Sequence, residues 1–76
     1  MNTSLFVGLC EDAGLKVRFS GGTAHVYGGP GGCLADISEV RTGDYSTNLL
    51  GAPKECAELI SEIVPEYALT PIEERE

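Results

Sequence analysis

The most regular pattern in the chain is an alternation of apolar and polar residues on both sides of two adjacent glycines. The stretch 15–27 reads LKVRFSGGTAHVY. Two runs with a period of two, separated by Gly-Gly, predict a tight β-hairpin, because glycine readily adopts the positive φ that such turns need. With the two glycines in the turn, Phe19 faces Ala24 and Val17 faces Val26, so the apolar residues share one face. The opposite face of this hairpin carries Lys16, Arg18, His25 and Tyr27.

The alternation that follows predicts a second hairpin. A third strand covers Cys33–Val40, and a three-residue loop over 41–43 leads into a fourth strand, Asp44–Leu50. This register places Ile37 opposite Thr47. The apolar face of the third strand is predicted to hold Cys33, Ala35 and Ile37, and its polar face to hold Asp36 and Ser38.

Apolar residues at helical spacing occupy the N-terminal end of the chain. They recur at intervals of one, three and four from Leu5 to Ala13, which predicts a helix. Asn2 or Thr3 can cap its start, and Gly14 suits the left-handed position that ends a helix.

A second helix is predicted to begin near Pro53, and Pro65 is expected to break or kink it. The run Thr70-Pro71-Ile72-Glu73 has the form of a capping box, so a short last helix should begin there, with residues 74–76 frayed. The whole chain, 1–76, is therefore predicted to be one α+β domain. It has an N-terminal helix, a four-stranded antiparallel sheet of two hairpins, and a C-terminal helix broken near Pro65.

Charge is the most unusual global property. The 76 residues contain 12 acids and 5 bases, for a net charge of −7 at pH 7. Such a surface repels the backbone of nucleic acids and anionic lipid, which argues against direct nucleic-acid or membrane binding. Its natural partner is a basic protein surface, and the alternative is that the charge only keeps the protein in solution. Four of the twelve acids form one stripe of the second helix at spacings of three and four: Glu55, Glu58, Glu62 and Glu66.

The sequence contains no residue pattern that indicates a catalytic site or a cofactor-binding site. The three cysteines, Cys10, Cys33 and Cys56, include no C-x-x-C pair, so no metal site is predicted. All three fall on predicted apolar faces, away from His25, which is predicted to face outward beside Arg18. A catalytic cysteine–histidine pair is therefore not expected to form easily, and we expect neither an enzyme nor a cofactor.

A glycine-rich loop separates the two predicted hairpins and reads GGPGG over residues 28–32. Phosphate-binding loops need a following Lys-Ser/Thr, or a G-x-G-x-x-G pattern between a strand and a helix, and neither is present. A connector between strands is the favoured interpretation.

The polar hairpin face gives a second possible binding surface. Lys16, Arg18, His25 and Tyr27 form a small basic, partly aromatic patch. It could bind an acidic segment, a nucleotide-like ligand or a second copy of the chain. The alternative is an ordinary solvated face, since antiparallel sheets commonly expose one side to water.

The tail Glu66–Glu76 reads EYALTPIEERE. It resembles the "EYA-x-TPIEERE" tail of small uncharacterised proteins encoded by phages and prophages of Gram-positive bacteria. Those proteins also open with a helix, pass through a "GLKV-x-x-SG" type of hairpin, which Ala13–Gly22 fits loosely, and end in a helix. Only the last eleven residues carry the specific part of the resemblance.

The resemblance implies a context rather than a set of functional residues. Small acidic phage proteins include inhibitors of host defence nucleases, among them anti-CRISPR proteins, which place carboxylates where a nuclease expects phosphates. We therefore expect an accessory protein in the cytoplasm of an infected or lysogenic bacterium. It would bind a host protein with a basic nucleic-acid-binding surface through the acidic stripe. The alternative is a small homo-oligomeric interaction or scaffold module that pairs through its sheet and has no inhibitory role, and a small-ligand binder is a third.

Overall fold

The computed structural model of the chain describes residues 1–28 and 32–76. It is an α+β fold with an N-terminal helix, a four-stranded antiparallel sheet and a C-terminal helix, which confirms the predicted class. The central residues of the glycine loop, 29–31, lie outside the described part, so the connector prediction stays a prediction. In chain order the elements are α1 (Thr3–Asp12), β1 (Leu15–Ser20), β2 (Thr23–Gly28), β3 (Cys33–Ser38), β4 (Tyr45–Thr47), α2 (Lys54–Leu69) and a 3₁₀ helix (Ile72–Glu74).

The first hairpin has the register that its sequence predicts. The strands follow the order β1-β2-β3-β4, with Phe19 opposite Ala24 and Val17 opposite Val26. Both turn glycines have positive φ, at 60° and 78°. Phe19 lies next to this turn and is 50% exposed, so the apolar face is covered less completely at this end of the hairpin than predicted.

A β-bulge changes the second half of the sheet. Val26 pairs with Ala35 but Tyr27 pairs with Cys33, so Leu34 is an extra residue on β3. An extra residue reverses the side on which the preceding side chain lies. Leu34 is buried in the core, and Cys33 lies beside Tyr27 on the polar face. The prediction that Cys33 belongs to the apolar face is therefore wrong.

The fourth strand is shorter than predicted, and its register differs. Ile37 pairs with Tyr45 rather than with Thr47, which itself pairs with Ala35. The connecting loop is fastened to the rest of the fold, because the Gly43 amide donates to the Ala68 carbonyl of α2 at 2.7 Å. The shift amounts to two residues, so it preserves which side of the sheet each residue occupies.

Both helices bury their apolar side chains against the sheet in one core. The predicted break at Pro65 does not occur, since α2 continues through it to Leu69. Proline removes one main-chain donor, but Val64 and Tyr67 on either side are fully buried, and this packing holds the helix together. The largest fully buried side chains are Tyr67, Phe6, Ile37, Ile60, Val26, Val64 and Cys10.

Two predictions for the C-terminal tail are wrong. A short helix does follow Pro71, but it has no side-chain cap, and Thr70 Oγ1 donates instead to the Glu66 carbonyl at 2.9 Å. Residues 74–76 are not all frayed, because Arg75 is buried with 2% of its surface exposed. The Arg75 carbonyl also accepts a hydrogen bond from the Thr3 amide, which joins the tail to the start of α1.

Candidate functional site

The acidic stripe lies on the solvent side of α2. Glu55, Glu58, Glu62 and Glu66 are all exposed, while Ile60, Ile63, Val64, Tyr67 and Ala68 of the same helix are buried. Apolar and acidic residues therefore sort onto opposite sides, as their spacing predicts. The buried side fixes α2 against the sheet, so the four carboxylates are presented on a rigid element.

None of these four glutamates forms a salt bridge with a basic side chain within the described part of the chain. Across residues 1–28 and 32–76, the close acid–base pairs are His25 with Asp36 and Arg75 with Glu39. Lys54, at the start of α2, is exposed. Like charges three or four residues apart on a helix repel one another by a few tenths of a kcal/mol per pair.

The polar face of the first hairpin brings its four predicted residues together. Lys16 pairs with Tyr27 and Arg18 with His25 across β1 and β2, and the His25 and Tyr27 rings have their centroids 6.3 Å apart. The patch is less basic than predicted, however. Asp36 on β3 is the register partner of His25, and its Oδ1 lies 2.5 Å from His25 Nδ1.

Cys33 completes a three-residue cluster on this face. Its Sγ donates to Asp36 Oδ1 at 3.2 Å and to the Ala35 carbonyl at 3.1 Å. Burial, followed by the hydrogen bond to Asp36, raises the pKa of the Cys33 thiol. The hydrogen bonds from Cys33 and then from His25 lower the pKa of the Asp36 carboxyl. At neutral pH the cluster therefore combines a neutral thiol with an ionised carboxylate.

The geometry differs from that of a cysteine nucleophile activated by histidine. Such a pair requires the imidazole to accept the thiol proton. Here Cys33 and His25 both bond to the same oxygen of Asp36, so the carboxylate stands between them.

Sequence reasoning missed this cluster, although one signal for it was present. The run Cys33-Leu34-Ala35 has three consecutive apolar residues in an otherwise alternating strand. A regular strand would expose Leu34, whereas a bulge at this point buries it and turns Cys33 outward. The pair formed by buried Arg75 and Glu39 gave no comparable signal, because Glu39 and the Ser38 carbonyl that Arg75 also contacts lie more than 35 residues away in the sequence.

No protein-family model, curated protein or solved structure matches this chain. No helix among the described residues has the length and apolar character needed to cross a lipid bilayer.

Proposed function

We propose that this chain is a phage or prophage accessory protein that binds a host protein directed at nucleic acid and inhibits it by occupancy. The acidic side of α2 would cover the basic surface with which the host protein grips its nucleic acid. The observation that supports this proposal is the set of four exposed glutamates on one side of a rigid helix.

The spacing of the four carboxylates suits such a surface. From Glu55 to Glu66 the helix rises about 16 Å, at about 1.5 Å per residue. This gives roughly one negative charge per 5 Å, compared with about one per 3.4 Å along a single strand of duplex DNA. Lysines and arginines arranged to contact successive phosphates would therefore meet a comparable charge density on α2.

The energetics also favour a basic partner. The glutamates repel one another in the free protein, and a neighbouring cationic surface removes that repulsion. Complementary charge accelerates association, and salt screens it over about 8–10 Å near physiological ionic strength. Binding should therefore weaken markedly as salt rises. No bond is made or broken in this mechanism, and the protein is not consumed.

Charge reversal on the stripe tests the proposal. Wild-type protein and the double variant Glu58→Lys/Glu62→Lys serve as parallel baits for proteins from a Gram-positive host. Each retained protein is then assayed for nucleic-acid cleavage with and without the wild-type chain. We expect the wild type to retain a nucleic-acid-directed protein and suppress its cleavage, and the double variant to do neither.

The matched control is Glu11→Lys/Asp12→Lys, which changes the net charge equally but at the exposed end of α1. If this control retains the host protein and inhibits its cleavage of nucleic acid, while the α2 variant does neither, then binding and inhibition depend on the acidic stripe. Equal loss in both variants would mean that only net charge matters. Undiminished binding by the α2 variant would show that the stripe is a solvated face, and the proposal would fail.

A second candidate is a homo-oligomeric module that pairs through its sheet. The sheet order leaves β1 at an edge, and Phe19 on this strand is half exposed. Exposed apolar edge strands favour pairing with another chain. Light scattering over a range of protein concentrations separates the two candidates. A dimer that the Phe19→Lys substitution dissociates would support the homo-oligomeric module, and a monomer at every concentration would exclude it.

A further inference from the structure

Three potential metal ligands of different chemistry converge on the outer face of the two central strands. His25 and Asp36 are opposite each other in the β2–β3 register, and the bulge at Leu34 turns Cys33 to the same side. The three ligand atoms, a ring nitrogen, a carboxylate oxygen and a thiol sulfur, all lie within 4.8 Å of one another. The convergence results from the backbone pairing of two inner strands, so it does not depend on a mobile loop.

The distances are close to those of a coordination shell. Zinc binds nitrogen and oxygen at about 2.0–2.2 Å and sulfur at about 2.3 Å, which separates neighbouring ligands of a tetrahedron by roughly 3.3–3.8 Å. Asp36 Oδ1 lies 3.2 Å from Cys33 Sγ and 2.5 Å from His25 Nδ1. For an ion to bind, Asp36 Oδ1 and His25 Nδ1 therefore have to move apart by about 1 Å. Small rotations of the two side chains are enough for this change.

We propose that His25, Cys33 and Asp36 form a binding site for a divalent transition-metal ion, with Zn²⁺ as the ion that fits the donors best. Imidazole, thiolate and carboxylate together suit a borderline-soft ion, whereas Mg²⁺ and Ca²⁺ prefer oxygen ligands alone. Three protein ligands leave at least one position for water or another ligand.

Access and charge are compatible with this assignment. The side chains of His25 and Asp36 are 28% and 48% exposed, so an ion can reach the site from solvent. Binding replaces the Cys33 thiol proton, which passes to solvent, and the His25 ring binds through Nδ1 with its proton on Nε2. Arg18 lies opposite His25 on β1 and is exposed, so water screens its opposing charge. The site is independent of the acidic stripe on α2.

Cobalt provides a direct spectroscopic test on the full chain. The reduced, metal-free protein is titrated with Co²⁺, and sulfur-to-cobalt charge transfer is followed in the near ultraviolet. We expect one equivalent to bind and Zn²⁺ to displace it. Cys33→Ser should abolish the charge-transfer band, and His25→Gln and Asp36→Asn should each weaken binding more than about tenfold. Cys56→Ser, a matched thiol control on α2, should change neither.

A second measurement on the wild-type protein does not depend on any variant folding. Alkylation of each thiol by iodoacetamide is followed by mass spectrometry, with Zn²⁺ and with Mg²⁺ at equal concentration. Zn²⁺ should slow alkylation of Cys33 at least tenfold relative to Cys56, and Mg²⁺ should not. Absence of both the cobalt–thiolate band and the protection of Cys33 would overturn the proposal. So would metal binding that Cys33→Ser leaves unchanged, because the cluster would then be hydrogen-bonded only.

Discussion

Replacing Arg75 with alanine should strongly destabilise the fold. The guanidinium is buried and donates to three carbonyls: from Nε to Thr70 at 2.9 Å, from Nη2 to Ala68 at 2.8 Å and from Nη1 to Ser38 at 2.7 Å. Nη1 also lies 3.3 Å from a Glu39 carboxylate oxygen. One side chain thus ties the end of α2, the tail and the end of β3 together.

The expected loss follows from the groups that Arg75→Ala leaves without a partner. Removing one member of a buried charge pair costs about 3–5 kcal/mol. The guanidinium also lies 4.7 Å from the centroid of the Tyr67 ring, which itself stacks on Phe6 at 4.2 Å. Because Glu39 is 24% exposed and can recover some hydration, we take about 4 kcal/mol as the estimate. A domain of 76 residues has a total stability of about 4–11 kcal/mol, so this loss is at least about a third of it.

Urea and thermal unfolding of the full chain, followed by circular dichroism, measure this loss. At about 4–8 °C per kcal/mol for a domain of this size, Tm should fall by roughly 15–30 °C. Arg75→Lys keeps the charge but not the planar fork of donors, so it should recover less than half of the loss. Glu76→Ala removes an exposed neighbour and should leave Tm within a few degrees. A change below about 1 kcal/mol for Arg75→Ala would refute this reasoning, because the buried guanidinium would then carry little of the fold's stability.

Two further predictions concern the core. Gly28→Ala should destabilise the protein by about 1–3 kcal/mol in urea unfolding, because its added Cβ would meet Leu34 Cδ1 at 2.6 Å and Leu15 Cδ2 at 3.0 Å. Gly8→Ala, with nothing within 4 Å of its Cβ, is the control and should stabilise α1 by up to about 1 kcal/mol; equal effects of the two would contradict the packing argument. Burial raises the pKa of the Cys10 thiol from 9.0 to about 11, so the folded state favours the neutral form. The contribution of Cys10 to the free energy of unfolding is complete below about pH 9 and is lost as pH rises toward 11. The free energy of unfolding should fall by about 2–3 kcal/mol over this range. If the free energy of unfolding of Cys10→Ala falls with alkaline pH as steeply as that of the wild type, another group causes the loss of stability.

The first hairpin could be predicted from its sequence because local chemistry specifies it. Two glycines fix the turn, and period-two alternation on both sides fixes the register. The amphipathic sorting of α2 was predictable for the same reason, since spacing along one helix decides which side is buried.

The features that the sequence did not reveal depend on contacts between distant segments. The loop before β4 is held by a bond from Gly43 to Ala68, which no local pattern encodes. Arg75 looks like a solvated residue in an acidic tail, and only the tertiary arrangement of the carbonyls shows why it is buried. The cluster of His25, Cys33 and Asp36 was missed because of one residue: assigning Leu34 to a regular strand placed Cys33 on the wrong side of the sheet.

The hydrogen bond from the Thr3 amide to the Arg75 carbonyl brings opposite ends of the described polypeptide into contact. The ammonium group of Met1 lies near them, donating to Thr70 Oγ1 at 2.9 Å. A head-to-tail peptide linkage of a few residues could therefore join the ends without disturbing the core. The resulting circular backbone would restrict the unfolded ensemble far more than the native one, and it could be reopened at an exposed turn to give a permuted chain with the same architecture.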